Sequence, residues 1–338
     1  MITASSAGTT SIPTEASRNP WRCSLSDLAI KARGVRKTYG RFVALKNIDL
    51  DVKSGVVYGF LGPNGAGKTT LIKILLGLSI PNDGEVEIFG KDLFLERNTI
   101  LKSVGAVVEA PAFFEYLTAY ENLYHLTRLS GNISREKIED TLKVVGLEDV
   151  AGKNVGAFSY GMKQRLGIAN ALLPENKLIF LDEPTNGLDP HGILGVRQLI
   201  KRLCRESGIT VFISSHMLAE VEQVCDYVTI IDKGEKVCEA KVSDLVERQS
   251  RIEFKTSDVG KAAEFLRSGN YEIIDERKHH DSSAFILKGH ESEIPELARR
   301  LVSAGIGILK ISRHKDTLED VFVEITGKNK TDSVSDRF

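Results

Sequence analysis

The chain has 338 residues, of which 42% are hydrophobic and 27% are charged, proportions that are ordinary for a soluble globular protein. The net charge of -1 gives no electrostatic reason to expect a nucleic-acid partner. No apolar run reaches the ~18 residues of a membrane span, and residues 1–20 lack the apolar core of a signal peptide. The four cysteines have no metal-ligand spacing, which indicates reduced thiols in a cytosolic protein.

Residues 1–27 are small, polar and aperiodic, and they predict a flexible tail. From residue 28 to residue 241, short β-branched runs alternate with helical patterns. We expect strands at 56–60, 85–89, 104–108, 177–181, 209–214 and 227–232, and helices at 118–130, 135–145 and 192–205. Several strands are almost continuously apolar, as strands covered on both faces of a parallel sheet must be. This pattern predicts an α/β domain at 28–241 with a mostly parallel sheet.

After residue 241 the pattern changes to β-α-β-β-α-β, the order of the ferredoxin-like split unit. We expect its strands at 251–256, 271–275, 284–289 and 306–312, and its helices at 259–267 and 293–304. A last helix is predicted at 317–327. We therefore place a small α+β accessory domain at 242–327, without a catalytic constellation of its own, followed by a flexible tail at 328–338.

A glycine-rich segment, GPNGAGKTT, follows the predicted strand at 56–60 and precedes an apolar helical pattern. Its spacing, G-x-x-x-x-G-K-[ST], is typical of a loop whose backbone N–H groups surround phosphates at the start of a helix. The lysine is expected to neutralise terminal phosphate charge, and the threonine after it to ligate Mg²⁺. The segment predicts a nucleotide site made of Gly62, Pro63, Asn64, Gly65, Ala66, Gly67, Lys68, Thr69 and Thr70.

Two acids, Asp182 and Glu183, directly follow the apolar run of the strand at 177–181. Ligands of open α/β sheets bind in the crevice at the carboxyl ends of the strands. We expect Asp182 to hold Mg²⁺, directly or through water, and Glu183 to act as general base for the attacking water. A solvated acidic loop is the alternative, which the phosphate-binding segment in the same chain disfavours.

Further motifs, in the same order, resemble those of the ATP-binding-cassette (ABC) ATPases over about residues 29–240. FSYGMKQR, residues 158–165, stands where that family has its signature motif, Leu-Ser-Gly-Gly-Gln. DEPTNGLDP continues into a D-loop at Asp189, which we count with the nucleotide-binding residues. SSH supplies a switch histidine for the γ-phosphate at His216, and KTYG supplies Tyr39 for adenine stacking. The alternatives are a structural role for His216 and an ordinary turn tyrosine at Tyr39.

The resemblance implies a P-loop NTPase fold: a mostly parallel core sheet, an antiparallel β subdomain and a helical subdomain. It also implies a head-to-tail dimer, formed with a second copy or with a paralogue. Ser159 and Gly161 of one subunit would close over ATP on the phosphate-binding loop of the other, and hydrolysis would release them. Tyr160 and Met162 replace a glycine and the glutamine of the signature, so we expect a looser or differently shaped closure.

Glu109, at the end of the predicted strand at 104–108, stands where the family normally has glutamine. Two unit charges about 4 Å apart at an effective dielectric of about 20 interact by about 4 kcal/mol. A carboxylate that faces the γ-phosphate would therefore oppose ATP binding, whereas one that faces Mg²⁺ is a hard oxygen ligand of the right sign. We expect Glu109 to hold Mg²⁺, directly or indirectly.

Three aromatic residues, Phe113, Phe114 and Tyr116, follow Glu109 closely. We expect them to form part of a groove that receives a helix of a separate membrane subunit, because aromatic side chains are typical anchors in buried clefts. Membership of the hydrophobic core is the alternative for the same residues.

Glu109, the segment after it, the variant signature and the ending TLEDVFVEITG are similar to the bacitracin-resistance and lantibiotic-immunity branch of ABC exporters. In that branch the membrane spans lie on separate permease subunits. The resemblance therefore implies an ATPase subunit that uses ATP and Mg²⁺ and binds peripherally to the cytoplasmic face of the membrane. Two alternatives stay open: a non-transport ABC ATPase of translation or chromosome maintenance, and a regulatory protein that binds ATP without turnover.

Overall fold

The computed structural model describes residues 28–109, 111–128, 133–174, 176–247, 251–279, 282–314 and 317–322. The two predicted tails and residues 323–327 of the predicted last helix lie outside these ranges. The strands form three sheets. In chain order they are β1 (Leu28–Tyr39), β2 (Phe42–Lys53), β3 (Val57–Leu61), β4 (Asp83–Ile88), β5 (Lys91–Asp92), β6 (Val104–Val107), β7 (Leu178–Asp182), β8 (Thr210–Ser215), β9 (Tyr227–Asp232), β10 (Glu235–Lys241), β11 (Arg251–Thr256), β12 (Ile273–His279), β13 (Ser282–Lys288) and β14 (Lys310–His314).

The α-helices connect these strands, and those at 119–127, 135–144, 190–207, 259–268 and 294–303 lie within a few residues of predicted helices. In chain order they are α1 (Lys68–Leu75), α2 (Arg97–Ile100), α3 (Ala119–Thr127), α4 (Arg135–Val144), α5 (Tyr160–Leu172), α6 (Pro190–Ser207), α7 (Leu218–Val224), α8 (Val242–Glu247), α9 (Val259–Ser268) and α10 (Ile294–Ser303). Residues 318–322 are also helical. Within the described ranges, no helix combines the length and apolar character that crossing a bilayer requires.

The central sheet has the strand order β10-β9-β3-β8-β7-β6. All its pairings are parallel except that β10 pairs antiparallel with β9 at one edge. Every residue of β3, β7 and β8 is buried, because α5 and α6 pack on one face and α1 packs on the other. The predicted α/β core with a mostly parallel sheet is confirmed.

The edge strand β6 differs from its prediction. It ends at Val107, and Ala106 within it is exposed, although the sequence predicted a strand at 104–108 covered on both faces. An apolar run does not show whether a strand has one neighbour or two, and among the described strands β6 is at the edge, paired with β7. Glu109 therefore lies two residues beyond the strand, with a φ of 64°.

A second sheet, β2-β1-β4-β5, is antiparallel and lies on the other side of α1. Ile72 and Leu75 of α1 belong to one buried cluster with Leu50 of the second sheet and with Phe60 and Phe212 of the central sheet. The helix that begins at the phosphate-binding loop is thus held between two sheets. This sheet is the antiparallel β subdomain that the resemblance implies.

The helices α3, α4 and α5 form the helical region. Leu123, Leu142 and Leu166, one from each helix, are buried in the same cluster as the central strands. Thr118 and Glu121 form a capping box that begins α3. The helical subdomain implied by the resemblance is therefore present.

The third sheet is antiparallel, with the order β12-β13-β11-β14, and has its own buried cluster with α9 and α10. Its β-α-β-β-α-β element order is the one predicted from the sequence. The helical segment at 318–322 then returns to the central core, where Leu318 is fully buried. The N–H of Leu318 donates to Oε2 of Glu222 in α7 at 2.9 Å.

Candidate nucleotide site

The phosphate-binding loop connects β3 to α1, and two of its glycines, Gly62 and Gly67, pack against neighbouring backbone. Gly67 has a φ of 108°, and a Cβ added there would lie 2.6 Å from the carbonyl oxygen of Ala44. A Cβ added to Gly62 would lie 2.4 Å from the carbonyl oxygen of Ile231. Only glycine fits at either position, so the loop needs the glycines that its sequence pattern supplies.

Lys68, the first residue of α1, is almost completely buried beside the loop. Its Nζ donates to the carbonyl oxygens of Gly62 at 2.8 Å and of Pro63 at 3.3 Å, and it lies 3.2 Å from Oε1 of Glu183. An ammonium group has three donors, and these three oxygens match them. The structure thus brings the predicted phosphate-binding lysine and the predicted general base into contact.

Asp182, the last residue of β7, accepts hydrogen bonds from two hydroxyl groups. Thr69 Oγ1 donates to one carboxylate oxygen at 3.0 Å, and Ser214 Oγ donates to the other. Hydroxyl and carboxylate oxygens are ligands that Mg²⁺ accepts, and Mg²⁺ commonly completes its shell with phosphate oxygens and water. The donor set of Thr69 and Asp182 therefore fits Mg²⁺. The described residues contain no group of three or more His, Cys, Asp and Glu side chains that could hold a metal alone.

Glu183 links the phosphate-binding loop to the switch histidine. Its Oε1 lies 3.2 Å from Lys68 Nζ, and its Oε2 lies 2.7 Å from His216 Nδ1. The φ of Glu183 is 50°, a left-handed conformation that is uncommon outside glycine. Its N–H donates to the carbonyl and hydroxyl oxygens of Ser214, which hold the backbone in this conformation. Such strain is typical of functional sites.

Ser214 is a site residue that the sequence analysis did not identify. It is fully buried in β8, directly opposite Asp182 of β7, and it contacts both acids. The signal in the sequence was the pair of serines that precedes His216, since polar residues at the end of an apolar strand need partners.

Glu109 has a different partner from the expected metal ion. Its Oε1 lies 3.2 Å from Nζ of Lys73, and its side chain is 70% exposed. Lys73 lies in the last turn of α1, whereas Thr69 lies in the first turn. The structure therefore shows an exposed ion pair at Glu109, and its magnesium role stays a prediction.

The signature segment begins α5 and packs against the D-loop of the same chain. Ser159 caps this helix, because its Oγ accepts a hydrogen bond from the N–H of Met162 at 3.3 Å. A Cβ added to Gly161 would lie 3.6 Å from Leu188, in ordinary contact. Ser159 itself is exposed, so its hydroxyl is accessible to a partner.

The D-loop leaves room for the bulky side chain of Tyr160, which is 46% exposed. A Cβ added to Gly187 would lie 3.5 Å from the Tyr160 ring, and Gly187 has a φ of 76°. Asp189 caps α6 by accepting a hydrogen bond from the N–H of Gly192 at 2.9 Å. Asp189 therefore has a structural role in addition to the nucleotide contact predicted for it.

The remaining predicted residues lie at the surface to different extents. Tyr39 is 50% exposed at the end of β1, with Lys37 Nζ 5.2 Å from its ring centroid. Phe114 and Tyr116 are 49% and 72% exposed, and their ring centroids lie 6.0 Å apart. Phe113 packs against the central core, which is the alternative that the sequence left open for it.

The chain is similar to known transport proteins over most of its length. Residues 45–186 match the protein family described as ABC transporter. The bacitracin transport ATP-binding protein BcrA of Bacillus licheniformis is 44% identical over 88% of this chain and 97% of that protein. The lantibiotic transport ATP-binding protein SrtF of Streptococcus pyogenes is 40% identical over 62% of this chain and 90% of that protein.

Solved structures agree with this relationship. The cbiO1 protein of Clostridium perfringens, part of the ABC transporter complex cbiONQ, has a TM-score of 0.60 and 28% identity over 72% of this chain and 95% of its own. The ATP-binding cassette MJ0796, dimeric and bound to ADP and Pi, has a TM-score of 0.57 and 30% identity over 63% of this chain and 98% of its own. These comparisons do not support the non-transport alternative. The chain belongs to the ATP-binding proteins of ABC transporters, which bind and hydrolyse ATP.

Proposed function

We propose that this chain is the ATPase subunit of an exporter of antimicrobial peptides or related drugs, and that Glu183 is its general base. The contact of Glu183 with both Lys68 and His216 is the observation that carries the catalytic part. The similarity to BcrA, a bacitracin transport ATP-binding protein, and to SrtF, a lantibiotic transport ATP-binding protein, supports the proposed cargo.

In this proposal each residue of the site has a distinct role in ATP hydrolysis. Lys68 neutralises charge on the terminal phosphates, and Glu183 accepts a proton from the attacking water. A carboxylate only accepts hydrogen bonds, so His216 carries a proton on Nδ1 in its contact with Glu183. This contact orients the imidazole for the γ-phosphate contact proposed for His216. Tyr39 stacks on the adenine.

Thr69 and Asp182 would hold Mg²⁺, which neutralises phosphate charge when it is bound. Glu109 would assist them in place of the family's glutamine. The exposed Lys73–Glu109 ion pair is compatible with this assignment, because an exposed ion pair contributes little stability and little is lost when it opens.

Two interfaces complete the proposed transporter. Ser159 and Gly161 close over ATP of a second ATPase subunit, identical or homologous, as the dimeric MJ0796 structure supports. Phe114 and Tyr116, which are exposed, receive a helix of a membrane permease; the place of cbiO1 in the ABC transporter complex cbiONQ supports assembly into a transporter in general. The ATPase would thus bind peripherally to the cytoplasmic face of the membrane.

A direct contact supports coupling between these two interfaces. Oε1 of Glu115, between the two aromatic anchors, lies 2.6 Å from Nζ of Lys163 in α5, the helix that Ser159 caps. Movement of α5 on dimer closure would therefore be transmitted through this ion pair to Phe114 and Tyr116. The residues at 242–327 are proposed as an accessory domain of this subunit.

Loss of the gene in its host tests the proposal. We expect the minimum inhibitory concentration of bacitracin or of a lantibiotic to fall several-fold, and a wild-type copy to restore it. A copy with Glu183→Gln should not restore it, because the subunit would bind ATP without hydrolysis. Unchanged sensitivity to both peptide classes would contradict the proposed cargo.

A further inference from the structure

A buried ion pair lies next to the two loops that carry Glu183 and His216. Arg197 of α6 and Glu220 of α7 approach each other with 3.6 Å between Arg197 Nη2 and Glu220 Oε1. The side chain of Glu220 is only 6% exposed, and that of Arg197 is 25% exposed. The hydrolysis mechanism proposed above uses neither residue.

This ion pair is incompletely satisfied. Arg197 Nε and Glu220 Oε2 are buried and have no hydrogen-bond partner among the residues that the structure describes. Both residues line a cavity of about 20 Å³, a volume that accommodates one water molecule. A buried charge pair of this kind is seldom more stabilising than apolar side chains of the same size. Stability alone therefore does not explain an arginine and a glutamate here.

The position of the ion pair in the fold suggests another reason. The same cavity is lined by the neighbours of both site residues. Pro184 follows Glu183, and Ser215 precedes His216. Glu220 lies in the first turn of α7, one helical turn after His216. Arg197 lies in α6, about two turns after Asp189, the D-loop residue that caps this helix. The ion pair thus connects the helix after the D-loop to the helix after the switch histidine.

We propose that Arg197 and Glu220 are positioning residues for the Glu183–His216 pair. The ion pair fixes the start of α7 against α6 and so holds His216 at the 2.7 Å contact with Glu183. It also transmits a displacement of the D-loop, as expected on dimer closure, to His216. This inference rests on the roles proposed above for Glu183 and His216.

An apolar replacement separates positioning from stability. We expect the double variant Arg197→Met/Glu220→Leu to keep the wild-type melting temperature within a few degrees, because packing replaces the ion pair. Its kcat should fall roughly tenfold or more with KM for ATP nearly unchanged, since small misplacements of catalytic groups carry large rate costs. The single variant Arg197→Lys keeps the positive charge, so its kcat should lie between that of the double variant and that of the wild type. A double variant with wild-type kcat would overturn the inference.

Two further variants make the result specific. Arg205→Met on the exposed end of the same helix is the matched control and should leave kcat unchanged. In a His216→Ala background, the double variant should cause no further loss of kcat, because the ion pair acts through His216. A further tenfold loss there would contradict the inference. If Glu183→Gln fails to lower kcat, the proposed catalytic roles fail instead, which distinguishes the two failures.

Discussion

Oε2 of Glu183 lies 2.7 Å from Nδ1 of His216, while Oε1 of the same carboxylate lies 3.2 Å from Nζ of Lys68. One side chain thus joins the ends of two neighbouring central strands to the start of α1. The left-handed backbone of Glu183 directs its side chain to this position. The contact holds the loops after β7 and β8 together, and we expect its disruption to have measurable consequences for ATP hydrolysis.

His216→Ala removes one of these contacts. We expect kcat for ATP hydrolysis to fall about 10²-fold, because the carboxylate of Glu183 loses a partner that orients it. Binding of ATP should change less than threefold, since the loop backbone and Lys68 are unaffected. Steady-state kinetics check the first expectation and equilibrium titration the second. His125→Ala, an exposed histidine of α3, is the control, and an equal loss in both variants would contradict the role of His216.

Glu109→Gln tests the unusual acid with a matched control. We expect the Mg²⁺ concentration for half-maximal activity to rise several-fold, because one negatively charged oxygen is lost. The free energy of unfolding should change by less than about 1 kcal/mol, since the ion pair with Lys73 is exposed. Lys73→Met removes the same ion pair but keeps the carboxylate, so its Mg²⁺ requirement should stay normal. Wild-type Mg²⁺ dependence in Glu109→Gln would leave the carboxylate without a special role.

Leu318→Ala tests the return of the C-terminal segment to the central core. Leu318 is fully buried, so its truncation should weaken docking of the segment at 317–322 by about 2 kcal/mol or more. Amide hydrogen exchange in this segment should then accelerate at least tenfold. Leu309→Ala, at a leucine that is 60% exposed, should leave exchange unchanged. Equal exchange in Leu318→Ala and the wild type would contradict docking through this side chain.

The buried thiols give a pH-dependent prediction. Burial, with a smaller contribution from Asp226, raises the pKa of both Cys204 and Cys225 above the ordinary value. Only the thiolate reacts with alkylating reagents, so at pH 8 both thiols should react far more slowly in the folded protein than in guanidinium. The unfolded chain loses these protons first as the pH rises, so the free energy of unfolding should fall above about pH 9. Equal labelling rates in the two states, measured by mass spectrometry, would contradict the burial.

Much of the site follows from local sequence patterns. The phosphate-binding loop, Asp182 and Glu183 each lie next to an apolar strand, and the parallel sheet brings the carboxyl ends of those strands to one edge. The structure brings Lys68, Thr69, Asp182, Glu183 and His216 together there. The caps at Thr118, Ser159 and Asp189 are likewise local, since each side chain accepts from an N–H three residues later.

Long-range pairings could not be predicted in the same way. The edge position of β6 depends on the order of strands in the sheet, which the apolar run of a single strand does not contain. The partner of Glu109 depends on how α1 lies beside that edge, and Lys73 is separated from it by 36 residues. No local pattern in the sequence identifies Arg197 or Glu220, because the packing of α6 against α7 brings them together.

Glu183 is proposed as the general base of the ATPase site, and the Glu183→Gln variant tests this role most directly. Its kcat should be measured with MgATP alongside the ATP dissociation constant. We expect kcat to fall about 10²-fold or more, while the dissociation constant stays within a few-fold of the wild type, because the amide keeps the shape but cannot accept the proton. A Glu183→Gln variant that hydrolyses ATP at the wild-type rate would contradict the account.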